Sequence, residues 1–136
     1  MTNKAHYAVI AGELAPGARV SDEQFSKIPD LIRASFQAVN RLVPQESKLK
    51  YEIIRMDEFL ALSESPVHSM RSLIMLLGAF RFLSYKELSV RLELRVCEGI
   101  GPVEFAQEHL RESDGTAFRK ASEGIRDMKR NQLISI

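Results

Sequence analysis

Three acidic residues of this 136-residue chain are of the type and placement that divalent-metal chemistry needs. Glu13 closes an aliphatic run, Tyr7-Ala8-Val9-Ile10-Ala11-Gly12-Glu13-Leu14, and Asp57-Glu58 separates two short runs rich in Tyr, Ile, Phe and Leu. If the aliphatic run is a strand, and the second short run pairs with it antiparallel, the end of one lies beside the start of the other. Glu13 then approaches Asp57 and Glu58. Carboxylates from adjacent strand ends form the oxygen-rich set that holds Mg²⁺ or Mn²⁺ against a polyphosphate, because Mg²⁺ takes a few carboxylates and keeps its waters. Acidic residues at a strand end and a hairpin tip suit a solvated rim equally well, and the residues alone leave both readings open.

The elements that must position these groups are legible from periodicity. His6 to Leu14 puts Ala8, Ile10 and Leu14 on one face and Tyr7, Val9 and Ala11 on the other, as a central strand does, and Ala15-Pro16-Gly17 ends it. Ser21-Asp22-Glu23-Gln24 has the form of a capping box, and Phe25, Ile28, Ile32, Phe36, Val39 and Val43 recur at helical steps up to Pro44. Pro29 either kinks that helix or marks the first turn of its main segment. Leu49 to Met56 and Phe59 to Leu62 predict a hairpin with Asp57-Glu58 at its tip.

Ser65-Pro66 opens a second helix whose buried stripe is expected to be Met70, Leu73, Ile74, Leu77 and Phe80. Met75, Leu76 and Ala79 widen it, which fits packing on two sides or a homodimer contact. Leu88, Val90, Leu92, Leu94 and Val96 alternate with Ser89, Arg91, Glu93, Arg95 and Cys97, predicting a strand with one wet face. Arg91, Glu93 and Arg95 on that face would permit charge pairs across a homodimer. Gly99-Ile100-Gly101-Pro102 reads as a turn. Ser113-Asp114 then caps a third helix with Phe118, Ala121, Ile125 and Met128 inward, and Leu133 to Ile136 reads as a last edge strand.

This order predicts an α+β fold: a ferredoxin-like βαββαβ palm with an antiparallel sheet, helices on one face, and an extra C-terminal helix and short strand. Residues 1–136 are the length of one domain. Lys plus Arg count 19 against 18 Asp plus Glu, a balance without the electrostatic footprint of a nucleic-acid binder. Cys97 is the only cysteine, which excludes an intrachain disulfide and fits a reducing, cytoplasmic setting. The apolar runs are too short for a signal peptide or a membrane span. His6, His68 and His109 lack metal-ligand spacing, and the Walker, dinucleotide-binding and nucleophile-elbow motifs are missing from the sequence.

Four stretches together resemble one known group, the SatD family. Tyr7 to Leu14 resembles its opening strand, and Arg55-Met56-Asp57-Glu58-Phe59 resembles its Gly-Asp-Glu-Phe hairpin, itself similar to the GGDEF signature of diguanylate cyclases. Leu92 to Gly101 is similar to the strand and glycine turn that follow. Ser113-Asp114-Gly115-Thr116-Ala117-Phe118 is similar to the family's Ser-Asp-Gly-Pro-Ala-Phe helix start. The resemblance implies a nucleotide-cyclase-like palm in which two carboxylate positions, matched here by Glu13 and Asp57, hold metal ions against a nucleoside triphosphate. Glu58 matches the next acidic residue. On the basic third helix Arg119 or Lys120 is a candidate phosphate contact, although the interleaved Glu123 and Asp127 suit a solvated face better. Many SatD proteins carry further chain beyond the palm, and the sequence leaves open whether this chain is a shortened form.

The departures bear on activity. Arg55 and Met56 stand where the cyclase hairpin has glycines that let nucleotide and backbone approach. Their side chains are expected to fill the substrate position. Glu13 stands where an Asp is expected and carries its carboxylate one methylene further, a displacement that in-line chemistry tolerates poorly. Pro16 lacks an amide that would otherwise cradle phosphate. Two functions follow: a degenerate palm with a regulatory or scaffolding role, or a metal-dependent nucleotide-binding or nucleotidyl-transfer protein.

Overall fold

The computed structural model describes residues 6–17, 19–103 and 109–131. Strand β1 (His6–Leu14) is followed by α1 (Asp22–Phe25), α2 (Ile28–Leu42), β2 (Lys50–Arg55), β3 (Glu58–Ser63), α3 (Pro66–Leu88), β4 (Leu94–Pro102) and α4 (Thr116–Asn131). The sheet order is β2-β3-β1-β4 with every neighbouring pair antiparallel. That is the split βαβ topology predicted from the element order. Its central strand is the aliphatic run, buried from Ala8 to Glu13.

Ser21 and Gln24 make the expected reciprocal cap: the Gln24 amide donates to Ser21 Oγ at 3.1 Å and the Ser21 amide to Gln24 Oε1 at 2.9 Å. Pro29 lies in the first turn of α2, so it starts the helix and does not kink it. Helices α2 and α3 pack together on one face of the sheet over Ile10, Phe59 and Ala61. There Phe36 stacks on Tyr51 with centroids 4.3 Å apart and meets Phe59 edge-on at 5.2 Å, the offset and T-shaped geometries that ring quadrupoles favour. Among the described residues no helix is long and apolar enough to cross a membrane.

Several sequence expectations need correction. Helices on one face holds only for the two crossover helices: α4 covers the opposite face, where Ala117, Phe118 and Ala121 pack with Val9, Ala11 and Leu110. The alternating run does not make a strand from Leu88. Helix α3 continues to Leu88, ends on left-handed Ser89 (φ 57°), and the strand begins at Leu94. Leu88 and Leu92 are buried because they bracket a chain reversal, in which Ser84 Oγ accepts the Leu92 amide at 3.0 Å.

Gly99 to Pro102 is no turn but the end of β4, paired with Val9 to His6. The glycine there serves close packing: a Cβ on Gly99 would stand 2.3 Å from the Ala117 carbonyl oxygen, so α4 lies on bare backbone. Met70 and Ile74 are exposed, and the buried apolar stripe of α3 is Leu73, Leu76, Phe80 and Leu88. Met128 is also partly exposed. The predicted strand at Leu133 to Ile136 lies outside the described residues.

Candidate functional site

The strand ends that carry these residues come side by side, because the register of β1 on β3 sets Glu13 directly opposite Glu58. Directly opposed residues of an antiparallel pair project from the same face with Cβ atoms about 5 Å apart. Asp57 precedes Glu58 in the hairpin turn, and the Leu14 amide donates to the Asp57 carbonyl oxygen at 3.2 Å, tying the turn to the end of β1. The neighbouring motif residues are packing devices. Gly12 lies opposite Phe59, and a Cβ on Gly12 would come 2.1 Å from the ring, so the missing side chain lets Phe59 lie across β1 and fix the hairpin.

Glu13 has a second strand neighbour that the sequence did not reveal as its partner. On β4 the residue opposite it is Arg95, whose Nε donates to Glu13 Oε1 at 3.1 Å and whose Nη2 donates to the same oxygen. The two side chains are only 7% and 10% exposed. A guanidinium thus stands on the carboxylate that a metal would need. The predicted wet face of Arg91, Glu93 and Arg95 is corrected here: Arg95 is turned into the sheet, while Glu93 pairs at the surface with Arg81 at 3.6 Å. Alternation could show that Arg95 shares a face with Glu93, but its partner depended on the β1–β4 register.

A cleft of about 220 Å³ opens beside the pair, lined by Glu13, Glu58, Ile54, Leu60, Ser122 and Ile125. Ile54 is the β2 side chain in this lining; Arg55 and Met56, expected to fill the substrate position, are exposed at the hairpin end and are not part of it. Leu60 and Ser122 are shared with an adjoining cleft of about 240 Å³ that includes Arg111, Arg119 and Arg126. Arg119 pairs with Asp114 at 3.4 Å, and Arg111 with Glu52 at 2.7 Å. Lys120 points elsewhere, donating to the Ile100 carbonyl oxygen at 3.2 Å.

The loop after Glu13 has little left to offer an anion. The Leu14 amide is held by Asp57 and the Ala15 amide donates to the Glu93 carbonyl oxygen at 2.8 Å, while Pro16 has none. Cys97, behind this region on β4, has its thiol pKa pushed up by burial first and by the Asp127 and Glu98 carboxylates after it, the reverse of an activated thiolate.

The same chain path recurs in solved nucleotide cyclases. The monomeric guanylyl cyclase domain of the RhoGC fusion protein from the aquatic fungus Blastocladiella emersonii aligns with a TM-score of 0.62 at 13% identity, over 88% of this chain and 74% of that one. The fold is that of a nucleotide-cyclase palm. The guanylate cyclase domain of RhGC from Catenaria anguillulae, solved with GTP, aligns at 0.59 and 14% identity over 88% and 71% of the two chains. The active GGEEF domain of a diguanylate cyclase from Vibrio cholerae aligns at 0.53 and 12% identity over 93% and 78%. No protein-family profile and no curated protein matches the sequence. The likeness to SatD proteins stands on the sequence stretches alone.

Whether this palm suits a metal ion can be asked of its donors. Among the described residues no three His, Cys, Asp or Glu side chains are grouped to hold an ion. Arg95 already supplies the positive charge at Glu13. As arranged, the residues present do not fit a resident Mg²⁺ or Mn²⁺.

Proposed function

We propose that this chain is a catalytically degenerate palm domain with a regulatory or scaffolding role in the cytosol. The observation that carries the reading is the buried ion pair of Arg95 with Glu13. A divalent ion entering there would have to displace a guanidinium that is covered, hydrogen-bonded and always charged, and so face its repulsion. The bound amides of Leu14 and Ala15, together with Pro16, support the same reading, since backbone donors that would cradle a triphosphate are already committed.

The alternative is metal-dependent nucleotide binding or nucleotidyl transfer with Glu13, Asp57 and Glu58 as ligands. What favours it is the direct opposition of Glu13 and Glu58 on the cyclase palm. The test is product formation. Purified chain incubated with Mg²⁺ or Mn²⁺ and ATP or GTP is expected to yield no cyclic or linked nucleotide. Product that disappears in Asp57→Asn would overturn the degenerate reading, as would a nucleotide-dependent and Mn²⁺-dependent rise in melting temperature lost in the same variant.

A further inference from the structure

Helix α3 has two apolar faces. One is buried against α2 and the sheet through Leu73, Leu76 and Phe80. On the other, at 100° per residue, Val67, Ile74, Gly78 and Tyr85 fall on one line along the helix, with Met70 on one flank and Phe82 on the other. Val67 is 86% exposed, Ile74 62%, Phe82 65%, Tyr85 59% and Met70 54%. Exposed apolar residues lined up in this way, with Arg71 and Arg81 among them, mark an interaction surface.

The arrangement of the stripe indicates its occupant. Ile74 and Phe82 lie equally far on either side of Gly78, as do Arg71 and Tyr85. An isologous two-fold contact brings each residue of a helix opposite the one equally far beyond the axis, so an antiparallel crossing at Gly78 sets Ile74 against Phe82, Arg71 against Tyr85 and Met70 against the stem of Lys86. Gly78 is the second observation. It sits at the middle of a 23-residue helix, exposed, where glycine costs about 1 kcal/mol of helix stability relative to alanine. A Cβ there would meet nothing within 4 Å in the monomer, so no contact inside the chain explains the residue. A helix crossing at that point would explain it.

We propose that α3 is a homodimer contact in which two copies cross antiparallel at Gly78. Ile74 then packs on the partner's Phe82, and Arg71 reaches the partner's Tyr85, whose ring is already held within its own chain by Arg91 at 6.0 Å. The cleft of about 250 Å³ beside Gly78, lined by Leu77, Arg81, Glu93 and Leu94, receives a side chain of the second copy. The five exposed apolar side chains, with the stems of Arg71 and Leu77, make a small contact near the low end of the standard range, about 600 Å² per partner. The two arginines numbered 71 stay far apart, at opposite ends of the crossing. Because α3 lies on the sheet face away from α4, the dimer leaves the cleft at Glu13 open, and the proposal stands whichever function that cleft has.

Sedimentation velocity of the full chain from micromolar to millimolar concentration tests it. The expected result is a concentration-dependent dimer that Ile74→Glu weakens at least a hundredfold. Gly78→Gln should weaken it at least tenfold while raising the melting temperature of the dilute monomer, since it removes a helix-interior glycine. In a Cys97→Ser background, Gly78→Cys should cross-link between chains under mild oxidation and Val67→Cys should not. A chain that stays monomeric throughout, or a dimer indifferent to both Ile74→Glu and Gly78→Gln, overturns the proposal.

Discussion

Arg95→Met removes the cation from a carboxylate that keeps 7% of its side-chain surface in contact with water. Stripping one partner from a buried ion pair takes away that attraction while the other charge keeps its desolvation penalty, and costs about 3–5 kcal/mol. With a urea slope of about 2 kcal/mol/M, a 3 kcal/mol loss moves the unfolding midpoint down by about 1.5 M. Glu13→Gln should cost less, since its amide oxygen still accepts from the Arg95 guanidinium although the opposite charge is gone. The double variant should be nearer to wild type than the sum of the singles, with a coupling of about 2 kcal/mol or more, because replacing both charges by neutral groups removes the desolvation cost along with the attraction. Urea unfolding followed by circular dichroism on the four proteins gives the cycle. A loss under about 0.5 kcal/mol for Arg95→Met, or additive singles, would refute the claim that this pair governs the site. The same variant tests the metal argument: millimolar Mn²⁺ should raise the melting temperature of Arg95→Met and not that of wild type.

Other consequences can be checked with the same equipment. Gly12→Ala should lose about 1–3 kcal/mol, since its Cβ would come 2.1 Å from the Phe59 ring and push the hairpin off β1. Gly99→Ala should destabilise more than Gly101→Ala, because the first Cβ meets the Ala117 carbonyl oxygen at 2.3 Å and the second meets Thr116 Cβ at 3.1 Å. Phe36→Ala should cost about 3–5 kcal/mol by removing the ring that touches both Tyr51 and Phe59, read as a fall in urea midpoint. Cys97 should alkylate more slowly than a free cysteine at neutral pH. Its raised pKa means that the folded chain holds the thiol proton more tightly than the unfolded chain. This contribution to stability is therefore complete below the ordinary thiol range and lost as pH rises through the shifted value. An alkylation rate that follows that of a free cysteine across neutral and mildly alkaline pH would contradict this.

Local chemistry settled most of the path of the chain. The capping box at Ser21, the prolines at Pro29 and Pro66, and the two-faced apolar strand each state their structure through effects that act within a few residues, and each holds in the fold. Where the reading slipped, longer-range packing had overruled a local pattern. The alternation from Leu88 to Val96 is real, yet helix α3 claims Leu88 and a serine hydroxyl claims Leu92. Gly99 and Gly101 look like turn residues until α4 is laid against them. The candidate site divides in the same way. Residue types in order were enough to bring Glu13 toward Asp57 and Glu58, because antiparallel pairing of a strand with a hairpin arm leaves little choice about which ends meet. The identity of the residue on the other side of Glu13 depended on a register across more than eighty positions, where a slip of one residue would have turned Arg95 to the opposite face. Sequence alone thus brought the strand end at Glu13 beside the hairpin turn at Asp57 and Glu58, and tertiary structure decided that the positive charge facing Glu13 belongs to the chain itself.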